Sequence, residues 1–335
     1  MRSFEVKMDT LLQQTRLRLP SFGAGEIQIT PIEKGGSGRR FYRVRCSPQE
    51  SLILIKYDLS RDENRHYVHI AEFLASHRIA APKIYYHDAG EGLIWIEDLG
   101  EADLWSAREE PWMVRRAFYE SALQEIARLH ALPEATWAAL RGEMPPEFTS
   151  ALYHWEQSYF LENCLGRIFH VPEAEWRELG TLPVLGKIAD ELGARPRVLV
   201  HRDFQSQNVI MRNGGAYLID FQGMRPGLRA YDVASLLYDP YVSISPSERE
   251  ELLHYYIEMS DCGPDFRKRF HWCALQRLMQ ALGAYGYLGL VTDHPHFLDY
   301  VPAALRSLRE VIEEIPGLDR LGARLATLPS DVPSH

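Results

Sequence analysis

The sequence offers little that would suggest a disulfide scaffold, a thiolate metal site or a membrane protein. Its 335 residues include four cysteines, Cys46, Cys164, Cys262 and Cys273. They stand far apart and show no CxxC spacing, which excludes the usual zinc patterns. Free thiols in a reducing compartment are expected. No run of about 18 apolar residues occurs, so no membrane span is expected. The opening MRSFEVKMDTLLQQTRLRLP lacks the apolar stretch of a signal peptide. Together these lead to the expectation of a cytoplasmic protein. Positive charge is not in excess either. There are 37 Lys and Arg against 46 Asp and Glu, a formal net charge of −9, which makes nucleic acid a poor partner. Repeats and low-complexity tracts are absent, and the tail TLPSDVPSH reads as frayed.

What is present is an ordinary globular composition, 46% hydrophobic and 25% charged, in a chain long enough for two lobes. The first third reads as strands. Phe41–Arg45 and Leu52–Tyr57 are β-rich runs separated by Ser47-Pro48-Gln49-Glu50, a hairpin pattern. A glycine-rich turn, Lys34-Gly35-Gly36-Ser37-Gly38, precedes them. Residues 62–77 carry a helical apolar period (Tyr67, Ile70, Ala71, Leu74) that Pro82 closes. Short strands are expected at Ile84–His87 and Leu93–Ile96. Beyond Gly100 the pattern turns helical, at about 113–131, 148–165, 172–192, 247–260, 266–286 and 298–315. A β island interrupts it: Val198–Val200, then Val209–Arg212 and Ala216–Ile219 around the tight-turn signal Asn213-Gly214-Gly215. The expected order is a β-rich lobe over 1–100 and a mainly helical lobe over 101–335.

The chemistry concentrates in that island. His201-Arg202-Asp203 and Asn208, then Asp220 beyond a short hairpin, form a compound signal that a lone HxD would not give. Phosphoryl transfer asks a protein to orient a hydroxyl and to hold metal ions that neutralise phosphates. Asp203 suits the proton-accepting role, and Asn208 and Asp220 offer the hard oxygens that Mg²⁺ takes. Upstream, the missing side chains of Gly35, Gly36 and Gly38, with Ser37, would let backbone N–H groups approach phosphates. Lys56 ends an apolar strand downstream of that loop, where a phosphate-contacting cation is expected. Its carboxylate partner is sought on the next helix, at Glu63 or Glu72, with Glu63 favoured although a helix-dipole role suits it equally. Trp95–Gly100 links the lobes, and position alone puts the backbone at Glu97 and Leu99 against an adenine. Asp232 opens an apolar helical run and is read as a structural brace for the catalytic loop.

The stretches GGSGRRFYRV, LILIK, WIEDLG, HRDFQSQNVIM, YLIDFQGMRPGLRAYDVASLLYDPYV and ALQRLMQALGAYGYL together resemble the aminoglycoside phosphotransferase-like kinases. Within them the chain is most similar to the N-acetylmuramate/N-acetylglucosamine anomeric kinases of cell-wall recycling, to which YFLENCLG adds a further likeness. The resemblance spans about residues 30–310. It implies an α+β, bilobal protein-kinase-like fold. It also implies ATP and Mg²⁺, and phosphorylation of the anomeric hydroxyl of an N-acetyl amino sugar. By motif, Asp203 would be the base, and Asn208 and Asp220 the metal ligands. Lys56 departs from the pattern, because those kinases often lack a clear lysine at this strand.

Eleven residues separate Asp220 from Asp232, too few for a peptide-binding activation segment, and that stretch holds no Ser or Thr. A small-molecule acceptor is therefore expected over a protein. Arg225 and Arg229 make the segment basic, which suits an anionic or neutral sugar better than a cationic aminoglycoside or amino alcohol. The same arginines would equally pair with surface acids. Arg277 would reach the substrate or tie helices together, and Trp155 would stack on a sugar or join the core. A nucleotide-binding pseudokinase is the competing class.

Overall fold

The computed structural model describes residues 8–20, 22, 27–32, 39–47, 50–59, 64, 66–329 and 331–332. Two compact units result. The first takes the chain up to Glu101 together with Tyr217–Gln222; the second takes Ala102–Ala216 and everything from Gly223 onward.

The first unit is built on a five-stranded antiparallel sheet of order β1-β2-β3-β5-β4. Its strands are β1 (Gln28–Ile32), β2 (Arg39–Ser47), β3 (Glu50–Tyr57), β4 (Ile84–Asp88) and β5 (Leu93–Glu97). The β2–β3 hairpin closes with Ser47 opposite Glu50. Alternation then decides what each face carries. Cross-strand pairs Tyr42–Leu54, Val44–Leu52 and Leu54–Trp95 put these side chains on one face. There they form a buried cluster with Leu11 of α1 (Met8–Arg18). Trp95 donates its indole N–H to Thr15 Oγ1 at 2.9 Å, and Thr15 donates to the Leu11 carbonyl at 2.8 Å. Helix α1 and strand β1 have no counterpart in the sequence reading. Only Leu11 and Thr15 of α1 are buried, so its apolar stripe is too thin to announce a helix.

The opposite face carries Arg43, whose guanidinium reaches Asp98 at 2.8 Å and also pairs with Glu101. Ser51 donates to the same Asp98 at 2.7 Å. Burial raises the Asp98 carboxyl, but the hydrogen bonds from Ser51, the Gly100 amide and Arg43 outweigh it and hold it below the usual range. Helix α2 (Tyr67–Ser76) follows the expected apolar period. The returning segment Tyr217–Gln222 joins this unit through the Leu218 amide, which donates to the Ala80 carbonyl at 2.8 Å. The Phe221 ring also packs 4.7 Å from Tyr67.

The second unit is mostly helical. It contains α3 (Trp112–His130), α4 (Ser150–Phe160), α5 (Glu173–Gly180), α6 (Pro183–Gly193), α7 (Arg229–Leu237), α8 (Pro246–Met259), α9 (Phe266–Leu290), α10 (Val301–Glu313) and α11 (Asp319–Ala326). The segment expected as one helix over 172–192 is two, because Pro183 lacks the N–H to continue and instead starts α6. Helix α4 does not run on to 165 as α-helix but widens into π turns over Leu161–Ile168. Strand β6 (Val198–Val200) pairs with an unexpected strand at Arg225–Gly227, Val200 opposite Arg225. Val209–Arg212 and Gly215–Leu218 form the expected hairpin, with Asn213 and Gly214 both at positive φ.

Helix α9 runs close against α4 and its π extension because glycines face them. A Cβ on Gly286 would lie 2.3 Å from the Asn163 carbonyl oxygen, and one on Gly283 would lie 2.9 Å from that of Tyr159. Gly286→Ala must therefore push α9 off the backbone of the π segment. Loss of about 2 kcal/mol or more in urea unfolding is expected, whereas Gly214→Asn, at an open positive-φ turn, should cost well under that.

Candidate active site

The HRDFQSQN segment leaves β6 and is pinned at both ends by buried carboxylates. Asp232, on the first turn of α7, accepts the His201 amide at 2.7 Å on Oδ2 and the Arg202 amide at 2.8 Å on Oδ1. It also accepts from His130 Nε2 at 3.0 Å, while Tyr256 hydroxyl donates to His130 Nδ1 at 2.7 Å. That tautomer is the one the network requires. Burial keeps the His130 imidazole below its usual range, hence neutral. At the far end, Asp239 accepts the Ser206 amide at 2.7 Å and the Tyr241 amide at 3.0 Å. Asp232 thus braces the loop as the sequence suggested; Asp239 went unread.

Between these anchors, Arg202 adopts φ 77°. Such a left-handed conformation is costly for a non-glycine residue. The turn presents Asp203, whose side chain is 24% exposed. Arg202 Nη1 donates to Asp203 Oδ2, and Arg277 Nη2 of α9 stands 3.9 Å from its Oδ1. Burial pushes the Asp203 carboxyl up, but Arg202, Arg277 and His201 outweigh it and hold it below the ordinary range. It is an ionised acceptor at neutral pH. Asn208 Nδ2 donates to the Asp203 carbonyl at 2.9 Å.

Besides the two anchoring carboxylates, the surroundings hold further arginines and a third buried acid. Arg277 also donates from Nε to Ser235 at 3.1 Å and pairs with Gln280. Arg225 donates to the Gly223 carbonyl at 3.3 Å and sits 5.5 Å from the Phe148 ring. Burial, then Arg202, lowers its pKa. Glu156 of α4 is 3% exposed; its Oε1 accepts from the Tyr231 hydroxyl at 2.9 Å, and its Oε2 is buried with no partner. Burial raises Glu156 to about 8, although Tyr231, Arg202, Arg277 and Arg225 all oppose this. Sequence reasoning chose its neighbour Trp155, which is 52% exposed and stacks on Tyr159 at 4.7 Å. The missed signal was an acid three residues after Tyr153 and four before Phe160, on the apolar stripe of a helix. Arg229 lies apart from this group and donates to the Asp261 carbonyl at 3.1 Å.

In the first unit, Asp220 stands at φ 61°. Its Oδ1 accepts from Arg39 Nη2 at 3.0 Å and Gln222 Nε2 at 2.8 Å. Its side chain is 40% exposed. An aspartate carboxylate is a hard-oxygen donor of the kind Mg²⁺ takes. Lys56 is not brought to Asp220. It shares the sheet face of Leu52, Leu54 and Trp95, and its Nζ donates to the Glu91 carbonyl. Glu97 donates its amide to the Lys83 carbonyl at 2.8 Å, and Leu99 is buried. Gly35, Gly36, Ser37, Gly38 and Glu63 lie outside the described residues. All four cysteines are free, and no helix among the described residues is long and apolar enough to cross a membrane.

Asp232→Asn removes one of two acceptor oxygens and so leaves the His201 or Arg202 amide buried without a partner. A loss of about 1–3 kcal/mol in denaturant unfolding is expected. Glu156 makes a second, pH-resolved prediction. Its carboxyl ionises near 4.5 when unfolded and near 8 when folded. Between those values the folded chain holds a proton that the unfolded chain has released, so stability falls as pH rises and levels off above about 8. Glu156→Gln has no such proton. Urea midpoints taken from about pH 5 to about pH 8 should shift in the variant's favour, by up to about 1.4 kcal/mol per pH unit.

The profile of the "Phosphotransferase enzyme family" matches residues 28–269. The chain is 25% identical to the N-acetylmuramate/N-acetylglucosamine kinase of Pseudomonas aeruginosa over 324 residues, covering 92% of this chain and 91% of that one. It is 24% identical to the protein of the same name from Pseudomonas putida, covering 90% and 88%. Among solved structures, ADP-bound aminoglycoside phosphotransferase APH(2'')-Ib superposes with a TM-score of 0.62 at 14% identity, covering 91% of this chain and 99% of that one. Plasmodium vivax ethanolamine kinase superposes with a TM-score of 0.62 at 18% identity, covering 89% and 86%. The likeness extends to the fold as a whole, so the bilobal protein-kinase-like architecture expected from the motifs is the observed one. With the family profile spanning most of its length, the chain belongs to the phosphotransferase enzyme family.

Proposed function

We propose that the protein transfers the γ-phosphoryl group of ATP, with Mg²⁺, to the anomeric hydroxyl of an N-acetyl amino sugar such as N-acetylmuramate or N-acetylglucosamine. The observation that carries this is the charge around Asp203: Arg202 and Arg277 stand against it, and Arg225 lies within their field. A cationic acceptor would meet repulsion there, whereas a neutral sugar or one bearing a carboxylate would not. The names of relatives aligned along nearly the whole chain support the same class of acceptor.

Asp203 is assigned the proton of the attacking hydroxyl. Its low pKa makes it a weak base, which suits a loose transition state where the proton leaves late. Mg²⁺ bound at hard oxygens would supply neutralisation of phosphate charge. Asn208 and Asp220 are assigned as those oxygens. The adenine is assigned to the backbone of Glu97–Leu99; with the Glu97 amide engaged by Lys83, the Leu99 amide becomes the donor. Arg277 and Arg225 are assigned to the acceptor, and Arg229 and Trp155 are left to solvent and stacking roles.

ADP release measured over N-acetylglucosamine, N-acetylmuramate, choline and an aminoglycoside tests the reading. Turnover on the order of 1–100 per second is expected with the N-acetyl sugars. Asp203→Asn should lower it about 10²- to 10⁴-fold while ADP affinity is retained. Turnover confined to choline or the aminoglycoside would reject the sugar reading.

A further inference from the structure

The cation that faces Asp220 is not the lysine that the motif pattern selects. Strand β3 ends Leu54-Ile55-Lys56-Tyr57, and strand alternation sends Lys56 to the α1 side of the sheet, where Arg40 and Leu93 are its cross-strand neighbours. The position on the other face is Ile55, fully buried and unable to meet a phosphate. On that other face, one strand away, stands Arg39, paired across from Tyr57. Its side chain is 5% exposed, and it makes a 3.0 Å ion pair with Asp220.

From this register we propose that Arg39 is the phosphate-contacting cation of the protein. The proposal rests on the phosphotransfer reading above and names the residue that serves its nucleotide side. Two features suit Arg39 to the task. A guanidinium carries five donors in a rigid fork, so one edge can hold a carboxylate while another meets phosphate oxygens. A lysine ammonium on a flexible stem gives no such division. In addition, Gln222 and Arg39 converge on the same oxygen of Asp220, Oδ1. This fixes the carboxylate through Oδ1, so that Oδ2 would be the oxygen to meet a cation bound with the phosphates. Arg39 therefore does the work that sequence position suggests for Lys56, from the neighbouring strand and the correct face.

The test compares Arg39→Ala, Arg39→Lys and Lys56→Ala, each checked for folding by circular dichroism. Calorimetric binding of a non-hydrolysable ATP analogue is set against binding of adenosine, which lacks phosphates. Arg39→Ala is expected to weaken the analogue at least about tenfold and adenosine less than about twofold. Arg39→Lys, which keeps the charge and loses the fork, should fall between Arg39→Ala and the wild type. Lys56→Ala should match the wild type for both ligands. The proposal is overturned if Lys56→Ala selectively loses the analogue, or if neither Arg39 variant discriminates analogue from adenosine. Should Arg39→Ala fail to fold, Arg39→Lys decides by the same ratio. A wild type that binds neither ligand overturns the phosphotransfer reading itself, and is told apart because every variant is then silent.

Discussion

The geometry of the site hangs on one buried carboxylate. Asp232 is fully buried and receives two consecutive backbone amides, those of His201 and Arg202, on its two oxygens. These bonds hold the turn at Arg202, which stands in the left-handed region, where a side chain is disfavoured by about 1–2 kcal/mol. Two hydrogen bonds to a charged acceptor, each worth about 1.5–3 kcal/mol, outweigh that strain. Neutral His130 behind Asp232 and the Tyr256 hydroxyl behind His130 keep the carboxylate oriented. Asp239 repeats the device at the Ser206 end. Asp203 and Asn208, which lie between, are thus placed by helices α3, α7 and α8 rather than by the loop's own preferences.

Around this frame the electrostatics divide into two carboxylates with opposite fates. Asp203 is partly exposed and touches Arg202 and Arg277, so it ionises readily. Glu156 feels the same arginines but lies deeper, so burial prevails and its carboxyl is raised to about 8. The difference is one of solvent and distance, not of residue type. The glycines of α9 make the arrangement possible. Gly283 and Gly286 bring the helix carrying Arg277 onto the backbone of the helix carrying Glu156. Arg202, for which the sequence named no partner, proves to hold Asp203 itself.

Much of this was legible in advance, for identifiable reasons. The β-rich first unit, the NGG hairpin and the brace of Asp232 on the HRDFQSQN turn rest on local signals, namely alternation, turn chemistry and spacing. What escaped notice depends on tertiary context. Helix α1 buries Leu11 and Thr15 and so shows almost no periodicity. Pro183 divides a helix whose pattern reads as continuous. Glu156 is an acid on an apolar stripe, and only the packing of that helix shows it to be buried while its aromatic neighbour Trp155 is exposed. Lys56 was selected by motif position, yet which face it occupies follows from the register against β2 and β5, which no single strand reveals.

In the proposed reaction Asp203, held between Arg202 and Arg277, receives the anomeric hydroxyl of an N-acetyl sugar. The most direct measurement is the phosphorus NMR spectrum of the product formed from N-acetylmuramate and ATP. A single new phosphomonoester is expected, its phosphorus coupled to the sugar's anomeric proton. A product coupled instead to the two protons on C6, or one in which the anomeric carbon still mutarotates freely, would contradict it.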